Sequence, residues 1–214
     1  TTTDDDSPGL SVSQSDASTL VDETGSTDSF TVALTTQPLS DVVVAVSSAD
    51  TGEATVSAST LTFTTANWNT PQTVTVTGVD DSIDDGDQDT TVTIAVDDDN
   101  SDNAFDGLAD QTATTTTDND DTAAFTLSTT TASVTEAGST ATFTVVLDTQ
   151  PTSDVVVTVT SADTGEATVS PAQLTFTNSN WNTAQTVTVT GVDDTAVDGA
   201  QTTAVTVSVV DGSS

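Results

Sequence analysis

Gln72-Thr73-Val74-Thr75-Val76-Thr77-Gly78-Val79-Asp80-Asp81 recurs, residue for residue, as Gln185-Thr186-Val187-Thr188-Val189-Thr190-Gly191-Val192-Asp193-Asp194. Valine and threonine alternate with period 2, which puts one set on an apolar face and the other on a polar face of a strand; a helix would scatter them. The glycine and paired aspartates then end the run as a turn. Working outward, residues 21–98 align without a gap on 134–211, and most of the aligned positions are identical. Thr36-Gln37-Pro38 returns as Thr149-Gln150-Pro151, Ser48–Ser57 as Ser161–Ser170, and Asn67-Trp68-Asn69-Thr70 as Asn180-Trp181-Asn182-Thr183. A repeat of this length is one independently folding unit met twice.

At the edges of the alignment the register slips by one residue, and Thr1-Thr2-Thr3-Asp4-Asp5-Asp6 matches Thr115-Thr116-Thr117-Asp118-Asn119-Asp120. Residues 1–8 therefore read as the tail of a preceding repeat, 9–121 as a first domain and 122–214 as a second. The second stops at Ser214, before any counterpart of Asn103-Ala104-Phe105-Asp106-Gly107-Leu108 or of the strand after it, and is expected to lack its last strand. The whole reads as a window on a longer array.

Each repeat reads as all-β. Phe30–Leu34, Leu61–Phe63, Thr73–Thr77 and Val92–Val96 alternate apolar and polar residues, with Gly and Asp clusters between them about every ten residues, a spacing that suits a two-sheet antiparallel sandwich. Trp68 and Trp181 suggest sugar stacking, but one Trp at the same place beside an apolar strand in each repeat reads as a core or loop plug.

The chain has 34 Asp and Glu and no Lys, Arg or His, for a net charge of -34, and it has no Cys, Met or Tyr. That charge repels phosphate backbones and anionic headgroups, and nothing cationic is present to contact them, so nucleic acid and anionic membrane are poor partners. No run approaches the roughly 18 apolar residues of a membrane span. Enzymatic activity is not expected, because nucleophilic Ser or Thr has no His or Lys to activate it. Loop acids without surrounding aromatics also do not resemble a glycosidase cleft. Divalent cations remain as the natural ligands, because carboxylates are the hard donors that calcium takes, whereas zinc and copper favour His and Cys. The bland alternative is an acidic, solubilising surface.

In the first repeat the acids concentrate at five places: Glu23; Asp50 and Glu53; Asp80 and Asp81; Asp84, Asp85 and Asp87; and Asp118, Asp120 and Asp121. Alternate loops of a sandwich fall at the same end, so the Glu23, Asp50 and Asp80 loops and the chain exit can converge on one pole. Carboxylates held that close repel one another unless a cation lies between them. In the second repeat they recur as Glu136, Asp163, Glu166, Asp193, Asp194 and Asp198, while Asp84 and Asp87 become Val197 and Ala200.

Val21-Asp22-Glu23-Thr24-Gly25 and Val134-Thr135-Glu136-Ala137-Gly138, the run from Leu61 through Trp68 to Asp80-Asp81, Asp85-Gly86 and the closing Asp118-Asn119-Asp120 together resemble the Calx-β domain family. The likeness is to the Calx-β-like repeats of very large bacterial surface proteins. It implies an immunoglobulin-like sandwich with calcium sites at one pole. The implied ligands are Glu23, Asp80, Asp81, Asp85, Asp118 and Asp120, and in the second repeat Glu136, Asp193, Asp194 and Asp198. The family's Asp-Tyr pair in the central loop is missing, which leaves Asp50 or Glu53, and their copies Asp163 and Glu166, to substitute. The function implied is a calcium-binding tandem-repeat spacer of a secreted or cell-surface, adhesin-like prokaryotic protein, partnered by neighbouring repeats. Two other readings remain open. One is a subunit or visible segment of an extracellular filament or surface layer built from identical subunits. The other is an ice-binding face made by the rows Thr73, Thr75, Thr77 and Thr186, Thr188, Thr190, whose exposed hydroxyls also suit O-linked glycans.

Overall fold

The computed structural model describes residues 5–14, 18–197 and 199–210. The chain folds as two compact units, one of residues 1–81 and 85–120, the other of 82–84 and 121–214. Among the described residues there are sixteen strands and one three-residue 3-10 turn, Asp98–Asn100.

The first unit holds β1 (Leu10–Gln14), β2 (Thr19–Asp22), β3 (Thr27–Leu34), β4 (Val42–Ser48), β5 (Ala54–Val56), β6 (Thr60–Phe63), β7 (Gln72–Gly78), β8 (Gln88–Val96) and β9 (Gln111–Asp118). One sheet has the order β1-β3-β7-β5, the other β2-β9-β8-β4-β6. Period-2 alternation decides which residues go inward. Phe30 and Val32 of β3, Val74 and Val76 of β7, Val42, Val44 and Val46 of β4, and Val92 and Ile94 of β8 form one buried core drawn from both sheets. Burying a Val, Ile or Phe side chain contributes about 1.5–3 kcal/mol, so this shared core is the main source of stability. Trp68 packs against its edge, and its carbonyl accepts the Leu34 amide at 2.9 Å, as the plug reading expects. The threonine rows lie on the opposite face, Thr73 across from Thr31 and Thr77 across from Thr27.

One expectation fails here. The sheets are not wholly antiparallel, because β2 pairs parallel with β9, Thr19 opposite Thr115 and Asp22 opposite Asp118. These strands are separated by nearly the whole repeat, so no hairpin constrains their direction, and β2 closes the sheet as an edge strand.

Among the long acidic stretch 97–102, Asp102 alone is buried, and it accepts the backbone amides of Leu39, Ser40 and Ala104 at 2.5, 3.0 and 3.0 Å. These bonds, that from Ala104 foremost, hold its carboxyl below the ordinary carboxylate range. The stability they give is therefore present above the unfolded-state value of about 3.8 and is lost as pH falls through the lower folded value. Asp102→Ala is expected to destabilise the first unit by about 1–3 kcal/mol, the cost of stranding buried amides. Melting followed by Trp68 fluorescence in a Trp181→Phe background measures it.

The second unit repeats this plan with β10 (Phe125–Leu127), β11 (Thr140–Leu147), β12 (Val155–Ser161), β13 (Ala167–Ser170), β14 (Gln173–Phe176), β15 (Gln185–Gly191) and β16 (Val205–Val209). The sheets run β10-β11-β15-β13 and β14-β12-β16. Phe143, Val145, Val157, Val159, Phe176, Val187 and Val189 form its core. The expectation of superimposable strands holds for most of the repeat but not for all of it. Ala132–Thr135, which copies β2, is not a strand, and β16 is shorter than its counterpart β8. No strand among the described residues stands where β9 stands in the first unit.

Candidate metal centre

Glu23 is the centre of the acidic pole because the chain around it is fixed on three sides. Its amide bonds the Asp118 carbonyl at 3.3 Å, continuing the parallel β2–β9 pairing by one residue. The turn that follows is held by Asp22, which accepts the Thr24 hydroxyl at 2.5 Å and the Ser26 amide at 3.3 Å, and is completed by Gly25 at φ +86°. Behind it, β2 crosses β7 at Gly78, where a Cβ would collide with the Asp22 carbonyl oxygen. Glu23 itself is 2% exposed, and its Oε2 accepts the Asp120 amide at 3.0 Å. One carboxylate oxygen from each of Glu23, Asp120 and Asp121, the residue bonded directly to Asp120, lies within 4.8 Å of the other two.

Glu53 approaches the same place from the central loop. Its carbonyl accepts the Val79 amide at 2.9 Å and the Thr117 hydroxyl at 3.2 Å, tying that loop to the end of β7 and to β9. Its Oε2 is buried with no hydrogen-bond partner among the described residues. Burial first, and then the charges of Asp85, Asp81, Asp50 and Glu23, push its carboxyl above the ordinary 4.5. The charges of four further acids expected at the pole, Asp85, Asp81, Asp50 and Glu23, thus reach Glu53, and Asp120 joins through Glu23. The unfolded chain ionises Glu53 at its ordinary value, whereas the fold holds the proton longer. Its contribution to stability is therefore full below about pH 4.5 and is lost as pH rises through the folded value. Without divalent cation, Glu53→Gln is expected to raise the melting temperature of the first unit at pH 7 and to leave it unchanged near pH 4. Trp68-detected melts at the two pH values check this.

The remaining expected ligands are placed less tightly. Asp80 and Asp118 are exposed, and among the described residues neither falls within a three-carboxylate group. Asp50 spends one oxygen on its own turn, accepting the Gly52 amide at 2.8 Å, and Asp87 accepts the Asn119 amide at 3.3 Å. In the second unit Glu136, Asp163, Asp193 and Asp194 are exposed and Glu166 is half-buried. Asp163 caps Gly165 as Asp50 caps Gly52, and Asp194 caps Ala196 at 2.7 Å. Asp198 lies outside the described residues. Asp121, not among the expected ligands, is brought in only by its bond to Asp120; its place in the run Asp118–Asp121 was the one available signal.

The donor set decides what fits. Carboxylate oxygens alone, from chain segments far apart in sequence, suit a hard cation with a flexible, high coordination number, which is calcium before magnesium. A buried carboxylate oxygen that meets no hydrogen-bond donor among the described residues, under the charges of four further acids, is relieved by a cation and aggravated by an anion.

No protein-family model matches the chain, and no curated protein matches it. Among solved structures it is similar to the calcium binding domain CBD12 of CALX1.1, at 15% identity over 82% of this chain and 74% of that one, with a TM-score of 0.39. It is also similar to CBD12 from CALX1.2, at 14% identity over 95% and 83%, TM-score 0.36. The S-layer protein rSbsC(31-844) aligns at 16% identity over 95% of this chain and 26% of that chain, TM-score 0.37. These likenesses are of the most general kind, and the residues of this chain, not its neighbours, carry the assignment of the site.

Proposed function

We propose that the chain is a pair of tandem immunoglobulin-like, Calx-β-like sandwiches serving as a calcium-binding spacer of an extracellular or cell-surface protein. The observation that supports this most is the pole of the first unit. Glu23 is buried there with its Oε2 on the Asp120 amide, and Glu53 carries a buried oxygen that meets no hydrogen-bond donor among the described residues. Calcium bound by Glu23 and Asp120, with Glu53 and Asp81 or Asp85 completing the shell, ties the start of the repeat to its exit. The last residues of one repeat are then held to its body instead of trailing from it, and the link to the next repeat stiffens.

A spacer needs no catalytic group, and the composition holds no His, Lys, Arg or Cys to serve as, or to activate, a nucleophile. Small-angle X-ray scattering of the whole chain with calcium and with chelator tests the mechanical part. A stiffened link narrows the spread of distances between the units when calcium is added and broadens it in chelator. Identical scattering curves overturn the spacer reading while leaving calcium binding itself to be judged by titration.

A further inference from the structure

On the four-stranded sheet of the second unit, Thr140 stands opposite Thr190, Thr142 opposite Thr188 and Thr144 opposite Thr186. All six are exposed or half-buried, whereas Phe143, Val145, Val187 and Val189, which alternate with them, are buried on the other side. The first unit repeats this block on β3 and β7, with Thr27 opposite Thr77, Ser29 opposite Thr75 and Thr31 opposite Thr73. The hydroxyls of the six second-unit threonines meet no hydrogen-bond partner among the described residues. The other sheets differ. There the Thr116 hydroxyl donates to Asp89 at 2.6 Å, and the hydroxyls of Thr158 and Ser208 bond each other at 3.0 Å.

In a chain with 34 acids these two faces carry no charge. The described strands of the second unit hold no Asp or Glu. On the corresponding sheet of the first unit the strands hold Asp28 alone, which alternation puts on the opposite face from Thr27 and Ser29, where its carboxylate accepts the Leu20 amide at 3.1 Å. What the face lacks limits what binds it. A cation finds no carboxylate. A sugar ring finds no aromatic, because Phe143 and Phe176 are buried and Trp181 packs against the core. A protein partner finds none of the large anchors that carry binding energy, and the chain has no Tyr, Arg or Met to supply them.

We propose that the paired threonine rows of β11 and β15, and their copy on β3 and β7, bind the surface of ice. Neighbouring strands lie about 4.8 Å apart and alternate residues of one strand about 7 Å apart, so each block is a small two-dimensional lattice of hydroxyls and methyls. Ice is a lattice of hydrogen-bond donors and acceptors with repeats of the same order. It takes hydroxyls in place of its own oxygens, admits methyls to the hollows of its surface and excludes ions. Threonine is stiff at χ1, and the strand ladder fixes its backbone, so the array is formed before it binds and loses little freedom on a rigid surface. Sheet twist of about 20–25° per strand confines a flat match to adjacent strands, and it is on one adjacent pair that the threonines stand directly opposed. The second unit has the complete set, and the first has Ser29 where the second has Thr142. Neither block includes an acid of the calcium pole.

The test follows a single ice crystal in solutions of the whole chain, together with uptake of the chain into slowly grown ice. The freezing point is expected to fall below the melting point by a gap that widens with chain concentration, and the chain is expected to enter the ice. Thr75→Asp combined with Thr188→Asp, a charge at the centre of each block, is expected to abolish both effects. Thr62→Asp combined with Thr175→Asp, which puts the same charges on the other sheets, is expected to leave both unchanged. Trp-detected melts show whether the variants stay folded; if the central pair does not, Thr73→Asp with Thr186→Asp, at the exposed end of each block, takes its place. The results are expected to be the same in calcium and in chelator, which separates this proposal from the calcium reading. Coincident freezing and melting points at every concentration, with no uptake into ice, overturn the proposal. A gap that survives charges in both blocks, or that is lost equally in the control, overturns these rows as the site. Retention on an insoluble neutral polysaccharide without uptake into ice overturns ice as the partner.

Discussion

In a hundredfold excess of calcium over its dissociation constant, the first unit is expected to gain about 2.7 kcal/mol of stability and the second markedly less. For a unit of this size that is a rise in melting temperature of roughly 10 °C. The asymmetry follows from the two poles. In the first, Glu23 is buried against the Asp120 amide and sits with Asp120 and Asp121 in one group; in the second, Glu136 is exposed and Asp163 and Asp194 cap their own turns. Removing calcium restores the mutual repulsion of Glu23, Glu53, Asp81 and Asp85, so the loss in chelator is greatest at low salt, where screening is weakest. Trp181→Phe leaves Trp68 to report the first unit, and Trp68→Phe leaves Trp181 to report the second, both within the whole chain. Equal and negligible shifts in the two variants would leave the acids as a solubilising surface only.

The second large effect is expected from Gly78→Ala. A Cβ at that position meets the Asp22 carbonyl oxygen, part of the backbone of an adjacent strand and unable to rotate away, so β2 or β7 has to move. Overpacking of this kind costs about 1–3 kcal/mol. It also withdraws Glu23, the next residue, from Asp120, so calcium affinity falls together with stability. Gly191 makes the same close approach to the Thr135 carbonyl in the second unit. Gly191→Ala is expected to destabilise that unit comparably while leaving the calcium response of the first unchanged. A calcium titration of each variant, beside its Trp-detected melt, separates lost packing from lost ligation.

How much of this was legible in the sequence depends on the kind of signal each residue leaves. β7 and β15 announce themselves, because valine and threonine alternate without interruption and the alternation survives as buried and half-exposed positions. β9 does not, because its inward residues are Ala113, Thr115 and Thr117, and a run of threonines has no apolar period to read. The parallel pairing of β2 with β9 is a contact across nearly the whole repeat, which no local pattern encodes. Strand alternation led to the expectation that the acids converge on one pole, and in the structure the charges of Asp85, Asp81, Asp50 and Glu23 reach Glu53. Which acids would be buried did not follow. Asp50 and Asp163 look like ligands in sequence, yet each spends an oxygen on the glycine two residues later. Glu23 and Asp120 meet across 97 positions. Asp102 stands in a run of similar aspartates and is distinguished by the amide of Ala104 and by those of Leu39 and Ser40, which the fold delivers to it from a remote loop.

The most direct test of the central claim is a calorimetric titration of the whole chain with calcium, repeated on Glu23→Gln and on Asp120→Asn, with magnesium as the competing ion. A saturable calcium event is predicted in the native chain. Each single substitution is predicted to weaken it about tenfold or more, on the order of 1.4 kcal/mol, and magnesium is predicted to displace calcium poorly. A heat of binding that does not saturate, or that is identical in the native chain and in Glu23→Gln, would contradict the account.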